Sequence, residues 1–483
     1  MAASIGRWWG SMTMALAVCA AMLTGATAMS PMAAAEPGTT TAAGDSDNAA
    51  TPIAQGDDDP FYLPPPGYED TAPGTILRSR PVVVKALQLF PVHVQSWQLL
   101  YRTTDADGNP YASVTTVMIP QGPTKPRPLL SYHMAYDSIR RACMPSYSLV
   151  HSNPLDLFDN AKQSGWALPP LEFALAAAAV AKGWAVTIPD ASGIDNRFLT
   201  PRVMGYTTLD GIRAAQHFAP LGLPGTATRT AMWGYSGGGI TTNWAAELQP
   251  EYAPELNIAG AVLGAPVNDF ATALRSVNGR VLAGLIPLGV ASLAQDSPEL
   301  AARIDQYLTP SGRAIIAEAA NDCVNKTVLK NMFRRVEQFM TVSMDQVLAD
   351  PVIQQAIAER ARGAATPTAP LYVVNGVNDE ISPIAATDRL VDTYCANGAS
   401  VTYVRDALPD LVSDHTIVAA TAAGPAFAWL DRVLSGRGPA PGSGCTTTTV
   451  ASTLMDPAGL AALPEFVVTV VQTMLGQALG AGR

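Results

Sequence analysis

Short apolar runs alternate with helix-like segments along much of this chain. The runs have the length and composition of buried strands, and several of the segments between them are long enough for helices. The clearest runs are Pro81–Val84, Leu129–Tyr132, Trp184–Ile188, Thr230–Trp233 and Leu371–Val374, and the clearest helical segments are Pro170–Lys182, Thr207–His217 and Ile240–Leu248. Parallel strands need crossover connections, which are usually helices. The alternation therefore predicts an α/β fold with a mainly parallel central sheet.

The alternation breaks between residues 268 and 368. This interval holds further helical stretches: Arg280–Ala294, Gly312–Ala320 and Met344–Arg360. A helical insertion near the carboxyl ends of the strands, where the sites of α/β sheets open, forms a roof over the site. We therefore expect two parts of one α/β core, residues 58–267 and 369–445, with a helical cap, or lid, at residues 268–368.

The N-terminus differs in composition from this core. Arg7 is followed by an apolar run at Met12–Ala28 and by small residues up to Ala35. This pattern is typical of a secretory signal peptide, so we expect cleavage of residues 1–35 rather than a membrane anchor. Residues 36–57 are rich in Thr, Ala, Gly and Asp and are expected to be a flexible leader. The mature protein is then secreted.

The C-terminal segment, residues 446–483, contains the apolar run Phe466–Val471. Pro464 and Glu465 interrupt it, and the uncharged stretch is short for a membrane span. We expect a terminal element packed on the core or a flap near the site. An alternative is that this segment and the acidic N-terminal tract attach the protein to the cell envelope.

Composition limits the partners and the compartment. The 483 residues are 48% hydrophobic and carry a net charge of -10 without a basic cluster, so nucleic acid is not an expected partner. Loss of the signal peptide leaves four cysteines, which fit an oxidising compartment and two disulfides in any of three pairings. They are Cys143, Cys323, Cys395 and Cys445. None has C-x-x-C spacing, so we expect no metal site, and no cofactor is required.

The sequence G-Y-S-G-G at Gly234–Gly238 stands directly between the predicted strand Thr230–Trp233 and a predicted helix. This is the context of a nucleophile elbow, in which a sharp turn exposes the serine hydroxyl at the start of a helix. The flanking glycines let strand and helix approach closely. The motif therefore predicts Ser236 as a catalytic nucleophile.

A serine nucleophile needs a base and an acid, and the elbow requires the chain order Ser, acid, His. The chain has five histidines, and His415 is the only one that follows Ser236. Asp379 follows the predicted strand Leu371–Val374 through a short turn, the expected place for the acid that orients the imidazole. Glu380, directly after it, is the main alternative.

An acyl-transfer site also needs two donors for the oxyanion. The first is expected to be the backbone N–H of Gly237, directly after the nucleophile. The second is expected in the loop after the predicted strand Leu129–Tyr132, within Ala135–Ser138. Asp137 lies in this loop, and it is equally compatible with an ordinary loop or capping role.

With these motifs the chain resembles the secretory lipase family, the lipase A type within the α/β-hydrolases. The resemblance covers most of the mature chain and rests on separate blocks in one order: Tyr136–Ser138, Cys143–Tyr147, Ile188–Asp190 with Gly193, Leu209–Ala214, Gly234–Gly239, Gly264–Asn268 and Asp379–Pro383. It implies an α/β-hydrolase fold with a helical cap. It also implies the triad Ser236, Asp379 and His415, and Asp137 and Gly237 as oxyanion donors.

The resemblance further implies the disulfides Cys143–Cys323 and Cys395–Cys445. The implied activity is hydrolysis of carboxylic esters, including triacylglycerols, with a lipid or other ester as substrate and transient contact with a lipid interface. Other functions use the same fold, because function depends on the pocket. A short-chain carboxylesterase, an acyltransferase, a peptidase and a non-catalytic cell-envelope binding protein are the alternatives.

Overall fold

A computed structural model describes residues 59–159, 164–409 and 412–481. The predicted signal peptide and leader lie outside the described residues. The strands are β1 (Ile76–Pro81), β2 (Lys85–Ala86), β3 (Phe90–Pro91), β4 (Gln95–Thr104), β5 (Pro110–Ile119), β6 (Leu129–His133), β7 (Ala185–Pro189), β8 (Thr230–Tyr235), β9 (Ile258–Gly264), β10 (Leu371–Gly376), β11 (Val401–Asp406) and β12 (Cys445–Val450).

The helices connect and cover these strands. They are α1 (Pro145–His151), α2 (Pro169–Ala181), α3 (Val203–His217), α4 (Gly237–Tyr252), α5 (Phe270–Val277), α6 (Leu285–Asp296), α7 (Pro298–Gln306), α8 (Pro310–Ala319), α9 (Val324–Asn331), α10 (Met344–Leu348), α11 (Pro351–Glu359), α12 (Ile384–Ala396), α13 (Asp414–Thr421), α14 (Ala423–Leu434) and α15 (Pro457–Met474). Helices α5 to α11 all lie between β9 and β10.

Ten of the described strands form one sheet in the order β1-β4-β5-β7-β6-β8-β9-β10-β11-β12. From β7 to β12 every neighbouring pair is parallel, whereas β1, β4, β5 and β7 pair antiparallel. Strands β6, β7 and β10 are buried along their whole length, which explains their uninterrupted apolar runs. The predicted α/β-hydrolase fold with a mainly parallel sheet is confirmed.

The strand register brings the carboxyl ends of the central strands to one edge of the sheet. Gly234 lies opposite His133 of β6, and Tyr235 lies opposite Gly264 of β9. Successive side chains of β8 point to opposite faces, as the strand geometry requires. Met232 packs in the core with α3 and α4, and Trp233 faces the Phe427 ring of α14 with centroids 6.5 Å apart. Helices thus cover both faces and leave the edge for a site.

Two local predictions are wrong. The run Pro81–Val84 is not a strand: β1 ends at Pro81, and Val83 is 57% exposed. The single helical stretch Met344–Arg360 is two helices, α10 and α11. Pro351 disfavours helical backbone at the preceding Asp350. Asp350 instead caps α11, and its side chain accepts hydrogen bonds from the N–H groups of the two residues that follow Pro351.

The C-terminal segment forms the helix α15, which continues through Pro464. Phe466 packs against Phe427 of α14 with ring centroids 5.1 Å apart, and Glu465 pairs with Lys182 at 3.5 Å. Among the described helices α15 alone is long and apolar enough to cross a membrane, unless the bent pair α13 and α14 is taken as one span. Of the 18 residues of α15, 17% are buried.

Two disulfides join distant parts of the described chain, as expected. Cys143 and Cys323 link the segment after β6 to the start of α9, across 180 residues. Cys395 and Cys445 link α12 to β12 across 50 residues. The pairing is the one that the resemblance implies.

Candidate active site

The elbow at Ser236 joins β8 to α4 in a strained turn. Ser236 has φ 56° and ψ −121°, and its backbone N–H donates to the carbonyl of Gly264 at 2.9 Å. A Cβ at Gly238 would lie 2.0 Å from the carbonyl oxygen of His133. Only glycine therefore allows β6 and α4 to approach so closely. The turn places the Ser236 hydroxyl at the N-terminus of α4, where the helix dipole favours negative charge.

Ser236, His415 and Asp379 form a continuous row of hydrogen bonds. The Oγ of Ser236 lies 2.8 Å from Nε2 of His415. Nδ1 of His415 lies 2.8 Å from Oδ2 and 3.0 Å from Oδ1 of Asp379. Asp379 is itself held by the backbone N–H groups of Ile381 and Ser382, which donate to Oδ1. These partners favour the tautomer with the proton on Nδ1 and leave Nε2 to accept the serine proton.

Glu380 lies beside this row but makes different contacts. Its Oε2 accepts the backbone N–H of His415 at 3.3 Å, and its Oε1 accepts the hydroxyl of Ser413. Ser413 is also the N-cap of α13, the helix that carries His415. Asp379 therefore contacts the imidazole, and Glu380 contacts the backbone that supports it. The carbonyl of His415 accepts the Tyr235 hydroxyl at 2.9 Å.

Sequence reasoning assigned no role to Ser413 or to the Tyr235 hydroxyl. Tyr235 occupies the variable position of the elbow motif, so its residue type did not indicate a role in the site. Ser413 stands two residues before His415 and precedes a helical stretch, which is an N-cap signal. Ser413 contacts the backbone around His415, and Tyr235 contacts both the backbone carbonyl and the ring of His415, with ring centroids 5.1 Å apart.

Nearby negative charges and burial shift the pKa of His415 in opposite directions. Burial lowers the pKa of His415, but the carboxylates of Asp379, Glu380 and Asp137 outweigh it, so the pKa is raised above 6.5. The other buried histidine of this region, His133, has its pKa lowered to about 3 by burial. His133 therefore stays neutral, bonded to Ser131 and Thr242.

Asp137 and Gly237 lie together next to the elbow. Asp137 follows β6 with φ 36°, and a Cβ at Gly237 would lie 1.9 Å from its Oδ1. This buried Oδ1 has no hydrogen-bond partner. Burial raises the pKa of Asp137 to about 6, with His415 opposing the shift. The structure thus assembles the predicted site residues Ser236, Asp379, His415, Gly237 and Asp137 at one edge of the sheet.

Several carboxylates of the site are held by protein donors, whereas Oδ1 of Asp137 and Oδ1 of Asp414 have no hydrogen-bond partner. Glu380 and Asp379 accept backbone and side-chain hydrogen bonds, and Asp414 accepts the backbone N–H of Asn378 at 3.1 Å. Across the described ranges no group of three or more His, Cys, Asp or Glu side chains is arranged to hold a metal ion. The geometry is that of a proton-transfer row ending at a hydroxyl.

The family model described as secretory lipase matches residues 167–442 of this chain. The chain belongs to the secretory lipase family. The lipase A of Arthroderma benhamiae is 38% identical over 430 residues, which are 88% of each chain. A Mycobacterium tuberculosis protein named a probable inactive lipase is 41% identical over 364 residues, 75% of this chain and 79% of that one.

Further comparisons agree with membership of the secretory lipase family. A secreted triacylglycerol lipase of Malassezia globosa is 34% identical over 386 residues, 79% of this chain and 81% of that one. The crystal structure of Candida antarctica lipase A matches with a TM-score of 0.73 and 26% identity, covering 87% of this chain and 95% of that chain. Membership of this family makes the protein a carboxylic ester hydrolase.

Proposed function

We propose that this protein is a secreted serine hydrolase with triacylglycerols as its main substrate class. The observation that carries the proposal is the row of hydrogen bonds from Asp379 through His415 to Ser236, which ends at a nucleophile elbow. The relative named a secreted triacylglycerol lipase supports the substrate class. The family and the two disulfides support an extracellular location.

The proposed reaction has two steps of acyl transfer. Ser236 Oγ attacks the ester carbonyl carbon while His415 Nε2 takes its proton, and Asp379 stabilises the resulting imidazolium. The tetrahedral intermediate collapses, His415 returns the proton to the leaving alcohol, and the acyl group stays on Ser236. Water then attacks the acyl carbon while His415 Nε2 takes its proton. The second tetrahedral intermediate collapses, the bond from the acyl carbon to Ser236 Oγ breaks, and His415 returns the proton to Oγ as the carboxylic acid leaves.

The oxyanion of each intermediate needs donors on the side of the carbonyl away from His415. Gly237 is the first residue of α4, so its N–H is one of the four without a partner in the helix. We assign it as the first donor and the backbone N–H of Asp137 as the second. The close approach of Asp137 to Gly237 supports this assignment. Loss of one such donor typically costs about 10²–10³ in kcat.

Residues 268–368 are proposed as the cap that covers this site. Helices α5 to α11 fill the interval, and α7 and α11 share a small core of their own around Leu300, Ile304, Ile353 and Ala356. The disulfide between Cys143 and Cys323 ties this interval to the chain just after Asp137. Its position between β9 and β10 fits a roof over the carboxyl ends of the strands.

Contact with a lipid surface is proposed through the outer face of α15. Its exposed positions are all apolar: Pro457, Ala458, Leu460, Ala461, Pro464, Val468, Val471 and Met474, followed by the exposed C-cap Leu475. Its buried positions are Gly459, Thr469 and Thr473. This arrangement is the reverse of a helix that faces water. An apolar outer face without charges suits a helix that lies in a lipid interface.

A non-catalytic binding role is the second candidate, because one relative is named a probable inactive lipase. The intact row from Ser236 to Asp379 favours catalysis. A fluorophosphonate that labels active serines separates the two. An enzyme is labelled at Ser236, and labelling is lost in Ser236→Ala. A binding protein is not labelled.

The deciding experiment measures hydrolysis of p-nitrophenyl esters from short to long acyl chains and of emulsified triglyceride. Wild type is compared with Ser236→Ala and with Ser435→Ala, an exposed serine whose hydroxyl donates to carbonyls of the preceding helix and accepts from Nε of Arg437. Turnover of long chains and emulsion that is lost only in Ser236→Ala supports a lipase. Activity limited to short soluble esters identifies a carboxylesterase, and transfer of the acyl group to added alcohol identifies an acyltransferase. No Ser236-dependent turnover overturns the proposal.

A further inference from the structure

Glu172 connects α2 to the backbone that leads into the proposed oxyanion loop. Its Oε1 accepts the hydroxyl of Tyr132 at 2.6 Å, and its Oε2 accepts the backbone N–H of Ala135 at 3.1 Å. Tyr132 belongs to β6, and Ala135 stands two residues before Asp137. The Glu172 carboxylate therefore forms hydrogen bonds with the chain on both sides of the end of β6.

The loop is held from its other side as well. The hydroxyl of Tyr136 donates to Oγ of Ser192 at 2.6 Å and accepts the backbone N–H of Ser192 at 2.9 Å. The backbone at Asp137 itself has a positive φ of 36°, a conformation that its neighbours must impose. Glu172 thus holds Ala135 and Ser192 holds Tyr136, directly before the strained Asp137, and the hydroxyl of Ser138 after it donates to the carbonyl of Asp322 at 3.2 Å.

The alternative to a role at the site is a purely structural one, in which the Glu172 charge stabilises the N-terminus of α2. Glu172 lies in the first turn of α2, where a negative charge stabilises a helix, and the α2 N-cap makes no side-chain hydrogen bond. Both of its oxygens are, however, directed to Tyr132 and Ala135. Burial raises its pKa to about 7, and the nearby carboxylate of Asp137 adds to the shift.

We propose that Glu172 is a positioning residue for the oxyanion hole. By holding the N–H of Ala135 it sets the course of the chain through Tyr136, so that the backbone N–H of Asp137 faces the ester oxygen. This role rests on the proposed function, because it acts on the tetrahedral intermediate at Ser236. Without the anchor, Ala135 is free to shift, and the donor at Asp137 moves from its place.

The test compares Glu172→Ala, Glu172→Asp and Glu172→Gln with wild type on a soluble short-chain ester. An alkylboronic acid, which forms a tetrahedral adduct on the serine, reports the oxyanion hole independently of turnover. The control is Asp210→Asn, which alters a buried carboxylate held by Thr103, Tyr252 and Arg213, none of them a residue of the proposed site. Thermal unfolding is measured for every variant.

We expect Glu172→Ala to lower kcat by about 10²-fold, as loss of an oxyanion donor does, with much less change in KM. Boronate affinity falls by a similar factor. Glu172→Gln restores most of the activity, because its amide oxygen accepts from Ala135 and its NH₂ donates to the Tyr132 oxygen. Asp210→Asn is expected to lower stability but not kcat.

Wild-type kcat and boronate affinity in folded Glu172→Ala would overturn the positioning role, and so would an equal loss of kcat in Asp210→Asn. If Glu172→Ala does not fold, Glu172→Asp decides, because the shorter side chain does not reach both donors. Turnover in wild type that does not depend on Ser236 overturns the proposed function itself. The two failures are therefore distinct.

Discussion

At the scale of single residues, the neighbours Asp379 and Glu380 differ in what they contact: Asp379 binds the imidazole of His415, and Glu380 binds its backbone N–H. Asp379→Asn removes the charge that holds Nδ1 of His415, and we expect kcat to fall on the order of 10⁴-fold, as in other serine triads. Glu380→Gln is the matched control, because its amide still accepts the backbone N–H of His415. We expect a loss of less than about 10-fold there. Steady-state kinetics on a soluble ester checks both, and a larger loss in Glu380→Gln would reverse the assignment.

The protonation of His415 sets the expected pH dependence. The base must be neutral to accept a proton, and nearby carboxylates raise the pKa of His415 above 6.5. We therefore expect kcat/KM to rise with pH along an acid limb centred above 6.5. Asp379→Asn removes a charge that raises this pKa and should move the limb to lower pH. If the acid limb stays in place in the residual activity of Asp379→Asn, the limb reports the titration of another group, such as Asp137.

At the scale of elements, the two disulfides allow a controlled comparison. Cys143–Cys323 joins the chain after the proposed oxyanion loop to α9, and Cys395–Cys445 joins α12 to the edge strand β12. Replacing either pair with serine should lower the free energy of unfolding by about 2–4 kcal/mol. We expect only the Cys143/Cys323 variant to lose kcat/KM on long-chain esters as well, because it frees the proposed cap from the oxyanion loop. Urea unfolding and ester kinetics measure the two effects. Equal activity losses would remove the link between this disulfide and the site.

At the scale of the whole molecule, α15 presents an apolar surface far from the triad in sequence. Val468, Val471 and Leu475 are 48–66% exposed, so polar replacements there remove no core packing. We expect the triple change to glutamine to preserve thermal stability and turnover of soluble esters, and to lower binding to phospholipid vesicles and activity on emulsion. Leu63→Gln, at an exposed leucine of the N-terminal region, is the control. Unchanged sedimentation with vesicles would exclude α15 as the lipid-contacting face.

Local patterns in the sequence were sufficient for the elements and for part of the site. The strands β6, β7, β8 and β10 and the helices α2 to α4 follow from runs of hydrophobic residues and their periodicity. Ser236 follows from a motif within one turn, and His415 follows from the scarcity of histidines after it. These features depend on residues that are close in sequence, so a single chain displays them. The exact ends of the elements were less accurate, because the end of β1 and the break at Pro351 depend on single residues.

Tertiary structure decided everything that depends on the direction of a side chain or on contacts across the fold. Asp379 and Glu380 are neighbours in sequence, and only the folded turn shows that Asp379 faces the imidazole while Glu380 binds the backbone. Residue-level reasoning left three cysteine pairings open, because pairing depends on distances across 180 and 50 residues. The contacts of Glu172 with Tyr132 and Ala135 join residues about 40 positions apart and leave no local pattern. The sequence by itself thus determined the α/β fold class and named the candidate nucleophile and the candidate base, and the packing of distant segments decided how these groups meet.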